Sequence, residues 1–294
     1  MEFNEFTERI ADSIAEYLLH IDIAQIRIEK VIKNNGIVCT GLVICENGES
    51  VSPNIYLDYY YVMYKQNNDF EDVCMKISQE YIEAKKKIIN NIDVNLEFDK
   101  LKDKIFIKLV NYERNKNILK DCPHIKYLDL AVTFRYLVRK DENGIASAMV
   151  GNKEMLMWNI DTDTIYDMAK NNTKKLFPCV VMRLNEMLDE SELCGSCNTE
   201  DINVFVVTNS QGVNGATYMI YEDIISSFAD KIQDDLYILP SSIHEVLLVP
   251  AGDYDDRESL AEMVSEINKF VVSEFDYLSD NVYFYDRNSG RICI

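Results

Sequence analysis

Short Asn- and Gly-containing turns set the strongest limit on what this chain can fold into. Asn34-Asn35-Gly36, Glu46-Asn47-Gly48-Glu49, Asp141-Glu142-Asn143-Gly144 and Asn288-Ser289-Gly290 each lie between runs of β-prone residues. A parallel neighbour needs a crossover of about a dozen residues, so connections this short close only antiparallel hairpins. Residues 21–32 and 37–44 therefore pair across the first turn. The second turn leads into Asn54-Ile55-Tyr56, residues 127–139 pair with 145–150 across the third, and 282–285 pair with 291–294 across the fourth.

Between the hairpins, apolar residues recur at helical spacing. Phe3, Phe6, Ile10, Ile14, Tyr17 and Leu18 form one stripe, and residues 57–64 and 70–87 are helical, the latter closing on Lys85-Lys86-Lys87. A helix starts at Asp161 to Asp163, turns Ile165, Met168 and Ala169 inward and stops at Pro178. Glu222 to Ile232 packs through Ile224, Ile225, Phe228 and Ile232. The last helix has Asp255 and Glu258 at capping-box spacing and an inner face of Leu260, Met263, Val264, Ile267 and Val271. Further strands fall at 104–110, 202–208, 236–239 and 245–249, with 215–221 as the antiparallel neighbour of 202–208. No βαβ rhythm runs through this order. The fold class is α+β, with mixed, largely antiparallel sheets and packed amphipathic helices. A helix, β-meander and helices make an N-terminal α+β region over 1–120, and a C-terminal α+β region follows over 121–294.

Charge is concentrated in the second region. The chain carries 30 basic and 50 acidic residues, a net of −20. Residues 184–286 hold 3 basic residues, Lys231, Arg257 and Lys269, against 22 acidic ones, so nearly all the excess lies in about a third of the chain. Nucleic acid is excluded as the expected partner, because phosphate contacts need a basic face. The acidic segment instead suits a basic protein partner or simply solvates the fold. Tyr56, Tyr59, Tyr60, Tyr61 and Tyr64 lack the basic groove that accompanies base stacking; at helical spacing they are core and subunit-contact residues.

The opening residues, with Glu2, Glu5, Glu8, Asp12 and Glu16, lack the basic start and unbroken apolar stretch of a secretory signal. No apolar window reaches the length of a membrane span. Six of the eight cysteines stand apart in apolar surroundings, as buried thiols do. A cytoplasmic protein is expected, which leaves the acceptor pattern Asn171-Asn172-Thr173 without a glycosylation role.

Two local motifs carry candidate chemistry. Cys194-Gly195-Ser196-Cys197 offers two thiolates for a metal, but a closed zinc site needs four ligands and no second such pair follows. Asp189, Glu190, Glu192, Glu200 and Asp201 oppose thiolate formation there, so redox use is disfavoured. In Leu239-Pro240-Ser241-Ser242-Ile243-His244-Glu245, Ser241 or Ser242 would be a nucleophile, His244 its base and an aspartate the group orienting the imidazole. Neither a Gly-x-Ser-x-Gly elbow nor the second histidine of a zinc-protease motif is present, Leu248 standing where the latter would fall. The simpler reading has the serines capping a tight turn with His244 hydrogen-bonded beneath. Gln211-Gly212-Val213-Asn214-Gly215 is a hairpin loop rather than a phosphate cradle, and the acidic run Asp253 to Asp256 lacks the EF-hand pattern.

Four segments taken in order resemble a bacterial family designated domain of unknown function 5688. They are Ile165 to Thr173, the stretch Val204 to Tyr221 with Gly215-Ala216, Leu239 to Val246 with its Pro-Ser-Ser-x-His-Glu core, and the closing helix Leu260 to Phe270. The resemblance implies a cytoplasmic bacterial protein of extended α+β build and brings no cofactor, activity or catalytic residue. The expected function is a non-catalytic interaction or regulatory protein with an acidic surface and no cofactor. The alternative is a hydrolase or transferase acting through Ser241 or Ser242, His244 and Glu245.

Overall fold

The computed structural model describes residues 1–49, 52–89, 96–141, 144–187, 203–240, 242–254 and 257–294. The chain divides into two compact units, Met1–Val94 and Asn95–Ile294, and the three sheets among the described residues are antiparallel.

In the first unit, the helix Phe3–Ser13 runs into a 3₁₀ turn, Ile14–Tyr17. Strands β1 (Ile23–Ile32), β2 (Val38–Glu46) and β3 (Asn54–Tyr56) form a sheet in that order. Asn35 and Gly36 hold φ of 61° and 70°, the left-handed backbone that these residue types tolerate best, and Ile32 is thereby set opposite Val38. Helices Leu57–Asn67 and Phe70–Ile89 complete the unit. Phe6, Ile10, Ile14 and Leu18 are buried against Leu42, Ile44, Tyr64 and Ile77, with the Phe6 and Tyr64 rings 5.4 Å apart. Tyr60 and Tyr64 are core residues, as their spacing implies, while Tyr59 is 66% exposed. Glu46 is held by the Tyr81 hydroxyl (2.6 Å) and by Lys85, which neutralises a carboxylate at the rim of this core.

The second unit has two sheets. Strands β4 (Ile105–Asn111), β5 (His124–Tyr127), β6 (Leu130–Asp141) and β7 (Gly144–Met149) form one, with β6 flanked by β4 on one side and by β5 and β7 on the other. This sheet spans residue 120, so β4 belongs with the C-terminal elements. The other contains β8 (Cys179–Arg183), β9 (Phe205–Asn209), β10 (Leu236–Leu239), β11 (Val246–Pro250), β12 (Tyr283–Asp286) and β13 (Arg291–Cys293), in the order β13-β12-β10-β11-β9-β8. Helices Asn152–Trp158, Thr162–Leu176, Glu222–Ile232 and Arg257–Phe270 belong to the same unit. Its main core joins both sheets, with Ile107, Val132, Phe134, Ile165, Tyr218, Ile225, Ile238 and Tyr283 all buried.

Two departures from the sequence reading have physical causes. The run 127–139 is broken by a two-residue turn at Leu128-Asp129, where Leu128 takes φ 56° without Gly or Asn to mark it. Asp129 fixes that turn by accepting hydrogen bonds from Ser279 Oγ (2.6 Å), Asn281 Nδ2 (2.9 Å) and the Tyr283 hydroxyl. Residues Gly215–Ile220 form a 3₁₀ helix rather than a strand, and all six are buried. A short, wholly buried apolar run has no periodicity to separate strand from helix, and the places beside β9 are taken by β8 and β11. The helix Asn152–Trp158 and strand β8 were not expected. Residue Ile202, the Asp255 cap and the pair Cys194 and Cys197 lie outside the described residues.

Strand β4 has a free edge, and side chains close it. Ile107 donates its N–H to Thr173 Oγ1 (3.0 Å), while its carbonyl accepts from Thr217 Oγ1 (3.4 Å). The Ile105 carbonyl accepts from Asn172 Nδ2 (3.0 Å). Thr173 and Asn172 of the glycosylation-like triplet are thus buried edge caps. Thr173→Val keeps the shape and removes the acceptor, so it lowers stability by about 1–3 kcal/mol, the cost of an unsatisfied buried N–H. Denaturant unfolding followed by fluorescence of Trp158, the sole tryptophan and buried in this unit, measures it.

Candidate functional site

The Ser-Ile-His-Glu turn links β10 to β11 and lies against the 3₁₀ helix and the loop after Arg257–Phe270. Ser242 pairs with Tyr277 in an isolated antiparallel bridge, and Ile243 donates its N–H to the Asp276 carbonyl (2.8 Å). On the other side, Ala216 N–H reaches the Ile243 carbonyl (3.3 Å) and Thr208 Oγ1 the His244 carbonyl (2.9 Å). Gly215 makes this packing feasible. A Cβ there would lie 2.4 Å from the His244 carbonyl oxygen and 2.4 Å from Thr208 Oγ1.

His244 receives the Asn214 N–H on Nδ1 (3.4 Å) and approaches Asp276 Oδ1 with Nε2 (3.2 Å). These partners fix the tautomer: Nδ1 offers its lone pair to an amide, so the proton sits on Nε2 and is donated to the carboxylate. A general base needs a lone pair aimed at its nucleophile, and here neither ring nitrogen is left for the Ser242 hydroxyl. The hydroxyl oxygen of Ser242 instead accepts the His244 backbone N–H (3.0 Å), which caps the turn. Glu245 is half-buried at the entrance to β11. Ser241 lies outside the described residues.

Sequence reasoning asked for an aspartate without locating one, and the structure brings Asp276 to His244. It also places Lys108, in the middle of β4, within the electrostatic reach of Asp276 and Arg135. Burial, reinforced by the Arg135 guanidinium, holds the Lys108 ammonium down at about 8. Burial also lowers Arg135 itself, which donates to Ser147 through Nε (2.9 Å to Oγ) and one Nη (2.7 Å to the carbonyl). A single lysine inside the apolar run Ile-Phe-Ile-Lys-Leu-Val was the available signal.

Among the described residues, no three His, Cys, Asp or Glu side chains gather as a metal site requires. Burial pushes the thiols of Cys74, Cys122 and Cys179 up to about 11, away from the reactive range. No described helix is long and apolar enough to cross a membrane.

Among known proteins, no curated sequence and no solved structure matches. The model of a family of unknown function, DUF5688, matches residues 3–287 of the 294-residue chain. That match covers nearly all of both compact units and every element that builds the His244 turn, and so the chain belongs to the DUF5688 family.

Proposed function

We propose that this chain is a non-catalytic interaction or regulatory protein of the cytoplasm, and that its acidic segment docks a basic protein partner. The observation that carries the reading is the outer face of the helix Arg257–Phe270. Glu258, Glu262 and Glu266 stand four residues apart on its exposed side, and beside them Met263, which the spacing had set on the inner face, and Phe270 are 41% and 77% exposed. Exposed Glu222, Asp223, Asp230, Asp253, Glu274 and Asp280 extend the field over the same unit. Carboxylates beside uncovered apolar side chains suit a basic, amphipathic segment, whose cations steer the encounter while its apolar residues are buried. Buried free thiols at Cys39, Cys74 and Cys122 accord with a reducing compartment. The engagement of both His244 nitrogens weighs against the hydrolase or transferase alternative.

The test is affinity capture of the tagged full chain beside its Glu262→Lys/Glu266→Lys variant, read by mass spectrometry. A specific partner is expected to be basic, to be lost by the charge-reversed chain, and to weaken as salt rises from about 0.05 to about 0.3 M, because exposed charges are screened over ~10 Å or less. A partner held equally at both salts and by both chains contradicts the reading.

A further inference from the structure

Lys108 and Arg135 are diagonal neighbours on one face of the four-stranded sheet, since Lys108 pairs with Thr133 and Phe106 with Arg135. That relation sets their backbones ~7–8 Å apart, within reach of one shared ligand for side chains this long. The Lys108 ammonium has no hydrogen bond or ion pair among the described residues, although the side chain is largely buried. The Arg135 guanidinium has the Ser147 hydroxyl and carbonyl as partners and no carboxylate among the described residues. His124 pairs with Thr133 from the far side on the same sheet face. The Asp276 carboxylate attracts Lys108 but is already joined to His244 Nε2.

Buried cations are normally paired, because an unpaired ion loses its hydration without replacement. This chain has 20 more acidic than basic residues, yet these two half-buried cations are diagonal neighbours, and the carboxylate that attracts Lys108 already serves a histidine. The arrangement is an anion site in form: two neighbouring cationic donors on one sheet face, a half-buried setting and a surplus of positive charge. We infer that Lys108 and Arg135 bind a small oxyanion, the carboxylate or tetrahedral phosphate-type group of a small ligand. The fork of Arg135 directs its oxygens and the Lys108 ammonium neutralises them.

Because Lys108 ionises near 8 in the free protein, the site loses its second cation as pH rises. The protonated fraction falls from about nine-tenths at pH 7 to about one-tenth at pH 9, so affinity drops about tenfold over that range. Sulfate and acetate are suitable probes, since the charge of each is constant across it. The full chain is titrated calorimetrically with sodium sulfate and, separately, with sodium acetate, against sodium chloride at equal ionic strength. The expected result is one site per chain for at least one probe, about tenfold weaker at pH 9 than at pH 7. The loss is at least tenfold in Lys108→Met at pH 7, and Lys108→Arg keeps the pH 7 affinity but not the pH dependence. Sulfate binding alone identifies a tetrahedral ligand group, acetate alone a carboxylate, and both together a general oxyanion site. Trp158 fluorescence verifies that each variant is folded. Binding of neither probe, equal binding at pH 7 and 9, or unchanged binding in Lys108→Met overturns the inference.

Discussion

At pH 7, Lys108→Met folds more stably than the parent chain, by about 2 kcal/mol. The parent folds with a cation that burial and Arg135 hold at about 8, against 10.5 for a solvated lysine. A difference of about 2.5 units corresponds to roughly 3 kcal/mol of strain on the charged form, reduced to about 2 by the partial exposure of the side chain. Methionine has a similar unbranched shape, packs against the strand and needs no solvation. The sign follows from proton counts. Between pH 8 and 10.5 the unfolded chain keeps the Lys108 proton that the folded chain has released, so parent stability gains with rising pH relative to the variant. The gap is therefore full below pH 8 and shrinks toward zero near 10.5. Denaturant titrations at pH 7, 8 and 9.5, read from Trp158, test both the sign and the closing gap. A Lys108→Met chain less stable than the parent at pH 7, or a gap that does not close, shows that the amine is solvated in the fold. Stability gained by losing a side chain is the usual mark of a group kept for binding rather than for folding.

The hairpins were readable because their turn residues act locally. Asn35 and Gly36 take left-handed backbone as their own chemistry favours, and the β1–β2 register follows. The helix stripes were readable for a related reason, since Phe6, Ile10 and Ile14, or Leu260 and Val264, declare their buried face by spacing alone. What escaped is held by distant partners. Leu128 carries no turn signal, and its left-handed backbone is stabilised by hydrogen bonds from Ser279, Asn281 and Tyr283 to its neighbour Asp129. The segment Gly215–Ile220 is apolar throughout, so only its neighbours decide between strand and 3₁₀ helix. At the candidate site, His244 and Ser242 stood out because they are rare or clustered polar residues between strands. Asp276 did not, being one carboxylate among the 22 of residues 184–286. Its role depends on the Ser242–Tyr277 bridge, a tertiary contact without a local sequence signature.

Gly215→Ala is expected to destabilise the second unit by about 3 kcal/mol, at the upper end of overpacking costs, because the new methyl has nowhere to go. It would stand 2.4 Å from the His244 carbonyl oxygen, 2.4 Å from Thr208 Oγ1 and 2.7 Å from Thr208 Cα. Two of those atoms are backbone, one in β9 and one in the His244 turn, and Thr208 Oγ1 is tied to the His244 carbonyl at 2.9 Å. No rotamer change relieves all three contacts, so the 3₁₀ helix must move away from β9. The same displacement draws the Asn214 N–H off His244 Nδ1, which that amide reaches at 3.4 Å in the parent. Gly252→Ala is the matched control. There the nearest obstacle is the Asp234 carboxylate at 2.8 Å, the free end of a side chain that can rotate, so the cost stays below about 1 kcal/mol even with the loss of its bond to the Gly252 N–H. Denaturant unfolding read from Trp158 ranks the two variants, and histidine nitrogen shifts report whether Nδ1 has lost its partner. If Gly215→Ala unfolds like the parent and leaves the His244 signals in place, the close approach of 3₁₀ helix, β9 and His244 turn is not what orients the imidazole. If it destabilises and shifts those signals while Gly252→Ala does neither, the glycine is the element that holds His244 toward Asp276.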